Sequence, residues 1–119
     1  MTATITGSFP EMRAAVLTEL GRPLSLIDGI AIPDLAPGQV LVRIAYSGVC
    51  HSQVMEASGG RGPDPWLPHM LGHEATGRVV RTGEAVSKVA PGDLVVLGWI
   101  RGQGVANLGP TQPGFGSRY

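Results

Sequence analysis

The stretch LGHEATG, residues 71–77, sets a histidine beside a glutamate between two glycines. Glycine has no side chain, so the flanking positions leave room for another group to approach. The single cysteine, Cys50, lies upstream in GVCHS, residues 48–52. Thiolate and imidazole are the ligands that zinc prefers, which makes Cys50 and His73 candidate zinc ligands. Free cysteine is also a frequently buried residue type, so a packing role for Cys50 and a loop role for His73 stay open here.

Composition limits the class of protein. With 119 residues and 43% hydrophobic content, the chain is one small globular domain or part of a larger one. Nine basic and nine acidic residues leave no net charge, which argues against a nucleic-acid or anionic-membrane partner. A single cysteine cannot form an internal disulfide, and no secretory signal or membrane-spanning apolar run is visible. We therefore expect a soluble, cytoplasmic protein.

Short apolar segments separated by Gly and Pro turns predict a mainly β fold, a partly open β-barrel. A short helix is expected at 53–57, capped by Ser52 and ended by the glycines at 59–60. The stretch 62–68 holds three prolines and predicts an irregular loop. The expected strands are 12–18, 24–32 with a bulge at Gly29, 39–46, 75–81 and 94–97.

Both ends of the chain differ in composition from its middle. Residues 1–11 are small and polar and predict a flexible leader, whereas 101–119 lack any periodic segment and predict an irregular tail. The expected folded domain is therefore 12–100. Such a long irregular end suggests that this domain is incomplete.

Residues 72–86 read Gly-His-Glu, then Gly77, Gly83 and Val86 at fixed spacing. This pattern resembles the zinc-containing alcohol dehydrogenase signature of the medium-chain dehydrogenase/reductase family. GVCHS, 23 residues before the histidine when counted from Cys50, and PGDLV at 91–95 also resemble segments of that family. The resemblance implies a GroES-like catalytic domain with one or two short helices. Family members normally follow it with a dinucleotide-binding domain, which these residues lack.

The resemblance also implies roles for individual residues. Cys50 and His73 would bind the catalytic zinc, and Glu74 would be the neighbouring acid that can exchange with water on the metal. Ser52 would pass on the proton of the substrate hydroxyl, and His51 would face the pyrophosphate of NAD or NADP. The implied reaction is oxidation of a small alcohol to an aldehyde or ketone by hydride transfer to nicotinamide, in a full-length homo-oligomer.

The sequence departs from the family pattern at four points. The family's third zinc ligand would lie downstream of Tyr119, and the four cysteines of its structural zinc are missing from 102–109. Met55 stands where a histidine often ends the proton relay, and neutral Gln53 stands where an acid usually orients the histidine ligand. The missing third ligand and the missing cofactor domain predict that the chain alone is inactive, whereas Met55 and Gln53 bear on the proton path and the zinc affinity.

Other interpretations were weighed against this one. The main alternative is a non-catalytic GroES-like barrel that acts as a protein-binding or assembly module; a zinc-free reductase relative is disfavoured by the Cys and His pair. The segment 101–107 superficially resembles a dinucleotide fingerprint, but Asn107 replaces its third glycine. His69 is expected to be a loop or packing residue, and Trp66 and Trp99 are expected to be packing residues or pocket walls.

Overall fold

The computed structural model describes residues 11–99. Nearly all of the predicted leader and the whole of the predicted tail, including 101–107, lie outside the described residues. None of the described helices is long and apolar enough to cross a membrane. In chain order the elements are β1 (Met12–Leu17), β2 (Ser25–Ile30), β3 (Val40–Ser47), α1 (His51–Ser58), β4 (His69–Met70), β5 (Ala75–Thr82) and β6 (Leu94–Leu97).

The strands form two antiparallel sheets of three strands each. One has the order β2-β1-β4 and the other β3-β5-β6, and neither sheet closes on itself. Buried Val16 and Leu17 of β1 and Val79 of β5 form the apolar core of the described part. The mainly β, partly open barrel that the sequence predicts is confirmed.

The predicted bulge in the second strand is also present. Met12 pairs with Ile30, but Ala14 pairs with Ile27, so β2 carries one extra residue between these pairs. Gly29 lies in this interval with φ of 73°, a conformation that glycine adopts without the steric cost of a side chain.

The pairing of β3 with β5 is the most extensive in the structure, running from Val40↔Thr82 to Ser47↔Ala75. Gly77 lies within it, where the two backbones approach closely. A Cβ atom at this position would overlap the carbonyl oxygen of Arg43 and lie 2.6 Å from Cγ1 of Val42. The glycine at 77 is therefore required by the packing of one strand on the next.

Replacing Gly77 by alanine should destabilise the fold by about 1–3 kcal/mol, because β3 must move to admit the methyl group. Urea unfolding followed by circular dichroism measures the change. Gly98→Ala is the matched control, since a Cβ there meets nothing within 4 Å. Equal unfolding midpoints for the two variants would contradict the close approach.

Helix α1 begins at His51, earlier than predicted, and its N-cap is Cys50. The prediction that Ser52 caps the helix is therefore wrong. The reason is that Gln53 supplies the capping contact: its Oε1 accepts a hydrogen bond from the N–H of Cys50 at 2.8 Å. The predicted end is confirmed, because Gly59 is left-handed and the N–H of Gly60 donates to the carbonyl of Met55.

The stretch 62–68 is irregular as predicted, but the short strand β4 follows it and was not predicted. Met70 pairs with Val16, and His69 pairs with Leu17. His69 thus lies in a strand rather than in a loop. A two-residue strand is too short to show a hydrophobic period, which explains why the sequence did not reveal it.

His69 links three elements through its ring. Its Nε2 lies 2.6 Å from Oδ2 of Asp64, in the loop, and 3.8 Å from Oε1 of Glu56, on α1. Burial lowers the pKa of His69, but the hydrogen bond to Asp64 and the two carboxylate charges outweigh burial and raise it. Burial likewise raises the pKa of Asp64, yet its hydrogen bonds with His69 and the N–H of Trp66 bring it below its usual value. Each group therefore favours the charged form of the other.

These shifts predict how stability depends on pH. The raised pKa of His69 contributes stability that is full below its ordinary value of 6.5 and is lost as the pH rises through the raised value. The lowered pKa of Asp64 contributes stability above its ordinary value of 3.8, lost as the pH falls through the lowered value. In metal-free buffer, the stability difference between the native chain and His69→Gln should be largest between these pH values. Urea unfolding across pH measures it, and parallel profiles for both chains would contradict the prediction.

Candidate metal centre

The two stretches that the sequence singled out meet at one end of the β3–β5 pair. Ser47, the last residue of β3, pairs with Ala75, the first residue of β5. The N–H of Gly48 then donates to the carbonyl of Glu74 at 3.2 Å and extends the pairing beyond the strands. Because the strands are antiparallel, the segment leading to Cys50 runs beside the segment that contains His73, although 23 residues separate them.

Glu74 lies at the edge of this junction. Its Oε2 is 3.9 Å from Nε2 of His73, and the two side chains are 52% and 14% exposed, respectively. A Cβ atom on residue 48 would collide with Oε1 of Glu74, so glycine at that position leaves the space that the carboxylate occupies. The side chains of His73 and Glu74 thus lie close together, and Gly48 has a role here that the sequence did not reveal.

Cys50 is half-buried at the start of α1. A hydrogen bond from the Ser52 hydroxyl, with one from the Ser52 N–H, lowers the pKa of the Cys50 thiol, although burial and the charge of Glu74 act in the opposite direction. A thiol binds metal as the thiolate, so this environment prepares Cys50 for ligation. Ser52 therefore contacts the sulfur, while His51, the first residue of α1, is exposed.

Gln53 is the functional residue whose role the sequence concealed. It is 8% exposed, and its side-chain oxygen holds the backbone N–H of Cys50. At the sequence level it appears only as a neutral residue in place of an acid. The signal that could have identified it is its spacing, because a Gln three residues after an N-cap is typical of a capping box. Gln53 therefore fixes the backbone that carries the cysteine.

Replacing Gln53 by methionine should cost about 1–3 kcal/mol of stability, because the N–H of Cys50 loses its acceptor. Hydrogen exchange of the Cys50 amide, measured by NMR, should become faster. Gln53→Glu is the control, since it keeps an oxygen acceptor of the same reach. If the Cys50 amide exchanges equally fast in both variants, Gln53 does not position the cysteine.

A cavity of about 650 Å³ adjoins the junction. Gly48 and Gln53 connect it to the candidate metal ligands, and its remaining walls include Leu24, Val54 and Leu71. The walls are largely apolar. Trp66 and Trp99 are not among its lining residues, and both are partly exposed, so the prediction that they form pocket walls is not met in this cavity.

The donor types at the junction are a thiol, an imidazole and a carboxylate, which are ligands that zinc accepts. Within the described residues, however, the compact group of three such donors is Glu56, Asp64 and His69, whose ligand atoms lie within 4.8 Å of one another. The predicted donors at the junction fit zinc by chemistry but are spaced more widely.

The chain is thus a mainly β, partly open barrel with a thiol and an imidazole near the adjoining ends of β3 and β5 and a largely apolar cavity beside them. The family described as the alcohol dehydrogenase GroES-like domain matches residues 36–116. This match covers more than half of the 119 residues, so the chain belongs to that family.

Named relatives agree with the family match. An alcohol dehydrogenase of Rhizobium meliloti is 38% identical over 89 residues, which are 75% of this chain and 26% of that protein. An S-(hydroxymethyl)glutathione dehydrogenase of Synechocystis is 44% identical over 87 residues, which are 71% of this chain and 22% of that protein. The chain thus spans about a quarter of the length of the curated relatives that it matches.

Solved structures share the fold. A protein described as a zinc-binding dehydrogenase of Sinorhizobium meliloti, solved bound to NADP, matches with a TM-score of 0.63 and 32% identity over 72% of this chain and 24% of its own. The alcohol dehydrogenase of Aeropyrum pernix matches with a TM-score of 0.62 and 36% identity over 70% of this chain and 25% of its own. Both likenesses cover the region that contains the junction's strands.

Proposed function

We propose that the chain is the zinc-binding part of the catalytic domain of an NAD(P)-dependent alcohol dehydrogenase. The observation that supports this most directly is the β3–β5 register, which runs the Cys50 segment beside His73 and Glu74. The alternative, a non-catalytic barrel that binds other proteins, gives no reason for a thiol with a lowered pKa at this junction.

In this proposal Cys50 and His73 would hold the zinc, and Glu74, beside His73, would be the acid able to exchange with water there. Zinc, when bound, supplies Lewis-acid activation of an alcohol oxygen. The Ser52 hydroxyl lies next to the sulfur and passes on the proton that the alcohol loses. Glu74 is half-exposed, so its carboxylate is free to move between solvent and the site.

The nicotinamide cofactor is NAD or NADP, held largely by parts of the whole protein beyond these residues. The related protein solved with NADP supports a nicotinamide dinucleotide in general. His51 faces the cofactor pyrophosphate in this proposal, and its exposed position at the first turn of α1 supports that role. When bound, nicotinamide would supply the hydride acceptor, so that loss of hydride from the alcohol carbon and of the proton through Ser52 would give the aldehyde or ketone.

The substrate is a small alcohol or aldehyde, and the largely apolar walls of the adjoining cavity support an uncharged substrate. A cytoplasmic location stays a prediction, supported by the single cysteine, and a homo-oligomeric whole protein stays a prediction that rests on the family resemblance. Residues 1–119 on their own should show negligible catalytic oxidation of alcohols. Positioning of cofactor and substrate contributes roughly 7–11 kcal/mol to such reactions, and these residues contain only part of what achieves it.

Cobalt substitution tests the metal centre without requiring activity. Co²⁺ bound to a thiolate shows a near-ultraviolet charge-transfer band, so the native chain should develop this band on titration. Cys50→Ser should abolish the band, because the thiolate is gone. His73→Ala should require a higher cobalt concentration for the same band intensity, because the metal loses a ligand.

His51→Ala is the matched control, since this exposed histidine is assigned to the cofactor, and its band should equal that of the native chain. Absence of a thiolate band in the native chain at saturating cobalt would overturn the zinc assignment. That result would favour the protein-binding barrel instead.

A further inference from the structure

Glu56, Asp64 and His69 form a second polar cluster, hereafter the 56/64/69 cluster, away from the Cys50 junction. One ligand atom from each residue lies within 4.8 Å of the others. The side chains of His69, Asp64 and Glu56 are only 12%, 9% and 20% exposed. Carboxylates that are largely removed from water need a positive charge between them, because their desolvation is costly.

The orientation of the His69 ring determines where such a positive charge would lie. Its Nδ1 lies 3.3 Å from the carbonyl oxygen of Met70, which accepts a hydrogen bond in the tautomer that carries its proton on Nδ1. In neutral imidazole the other nitrogen, Nε2, then bears a lone pair. That lone pair faces Oδ2 of Asp64 at 2.6 Å and Oε1 of Glu56 at 3.8 Å. In this tautomer a cation between the three atoms would relieve their mutual repulsion.

Two cations could occupy the position, a proton on Nε2 or a metal ion. With a proton, the imidazolium and two carboxylates leave one net negative charge in a largely buried place. With a divalent metal and neutral imidazole, the charges of the 56/64/69 cluster balance. Above the pKa of His69 the proton leaves, and Nε2 becomes available as a ligand. Within these three side chains, the charges therefore match those of a divalent ion.

The donors are also held as metal ligands usually are. The Nδ1–H of His69 is anchored on a backbone carbonyl, the arrangement that fixes the tautomer of metal-binding histidines. The other oxygen of Asp64, Oδ1, accepts the N–H of Trp66 at 2.9 Å, which aims Oδ2 at His69. Ligands around tetrahedral zinc lie about 3.3 Å apart, so shifts below about 1 Å would bring Nε2, Oδ2 and Oε1 into coordination.

We propose that the 56/64/69 cluster is a second divalent-cation site, of the zinc class, that fastens α1 and the following loop to β4. One imidazole and two carboxylates suit Zn²⁺ and its divalent transition-metal neighbours. The site contains no sulfur and shares no residue with the Cys50 junction. It is therefore independent of the proposed dehydrogenase function, and either can fail without the other.

The test uses the 119-residue chain with the junction disabled by Cys50→Ser and His73→Ala. After dialysis against micromolar Zn²⁺ above neutral pH, this double variant should retain one zinc per chain, measured by atomic emission. Adding Asp64→Asn should remove that zinc, since the amide keeps the shape of the side chain but loses its charge. Asp34→Asn, an identical change at an exposed aspartate outside the cluster, should retain it.

A double variant that binds no zinc, or an Asp64→Asn chain that keeps it, would overturn the proposal. An NMR titration of the unmodified chain with Zn²⁺ tests the proposal even if the variants fail to fold. On titration with Zn²⁺, the Nε2 resonance of His69 should shift by NMR in addition to any shift at His73. If His69 responds to protons but not to zinc, the 56/64/69 cluster is an ion pair only, and the metal site is excluded.

Discussion

The antiparallel register of β3 and β5 is the constraint on which the candidate metal centre depends. Ser47 opposite Ala75 fixes which residues leave the two strands side by side, and the contact between Gly48 and Glu74 continues that pairing. A shift of one residue would move every side chain of β3 to the other face. Gly77 holds the register because no larger residue fits against the backbone of Arg43. Backbone pairing thus brings together residues that lie 23 positions apart.

The first turn of helix α1 determines the environment of Cys50 at this junction. Its first turn begins at Cys50, so the cysteine backbone is held by Gln53 and its sulfur by the Ser52 hydroxyl. Both contacts come from the three residues that follow the cysteine. The pKa of the Cys50 thiol is therefore lowered by local contacts, which do not depend on a large buried core. The first turn of α1 therefore determines both the position of the Cys50 sulfur and its pKa.

The far end of α1 is fastened in a different way. Glu56 reaches towards His69, and Asp64 meets the same ring nitrogen, so helix, loop and β4 converge on one imidazole. This convergence and the Cys50 junction use different donors, since one contains sulfur and the other only nitrogen and oxygen. Their affinities for metals should differ accordingly, because soft thiolate and hard carboxylate favour different ions. The two ends of the helix thus lie beside groups of different donor type.

Much of the fold followed from local chemistry that the sequence displays. Alternating apolar residues, Gly29 and the pair at 59–60 indicated five strands, a bulge and the end of the helix, because these depend on backbone preferences of individual residues. The Gly-His-Glu motif with the glycines that follow it likewise indicated the family by resemblance, and the family match confirms this prediction. Only the tertiary structure decided that Gln53 rather than Ser52 secures the helix start, and that the β3–β5 register shifts at Ala45, between Ile44 and Tyr46. It alone joined His69 to Asp64 and Glu56, since contacts between side chains on separate elements leave no periodic trace in a sequence.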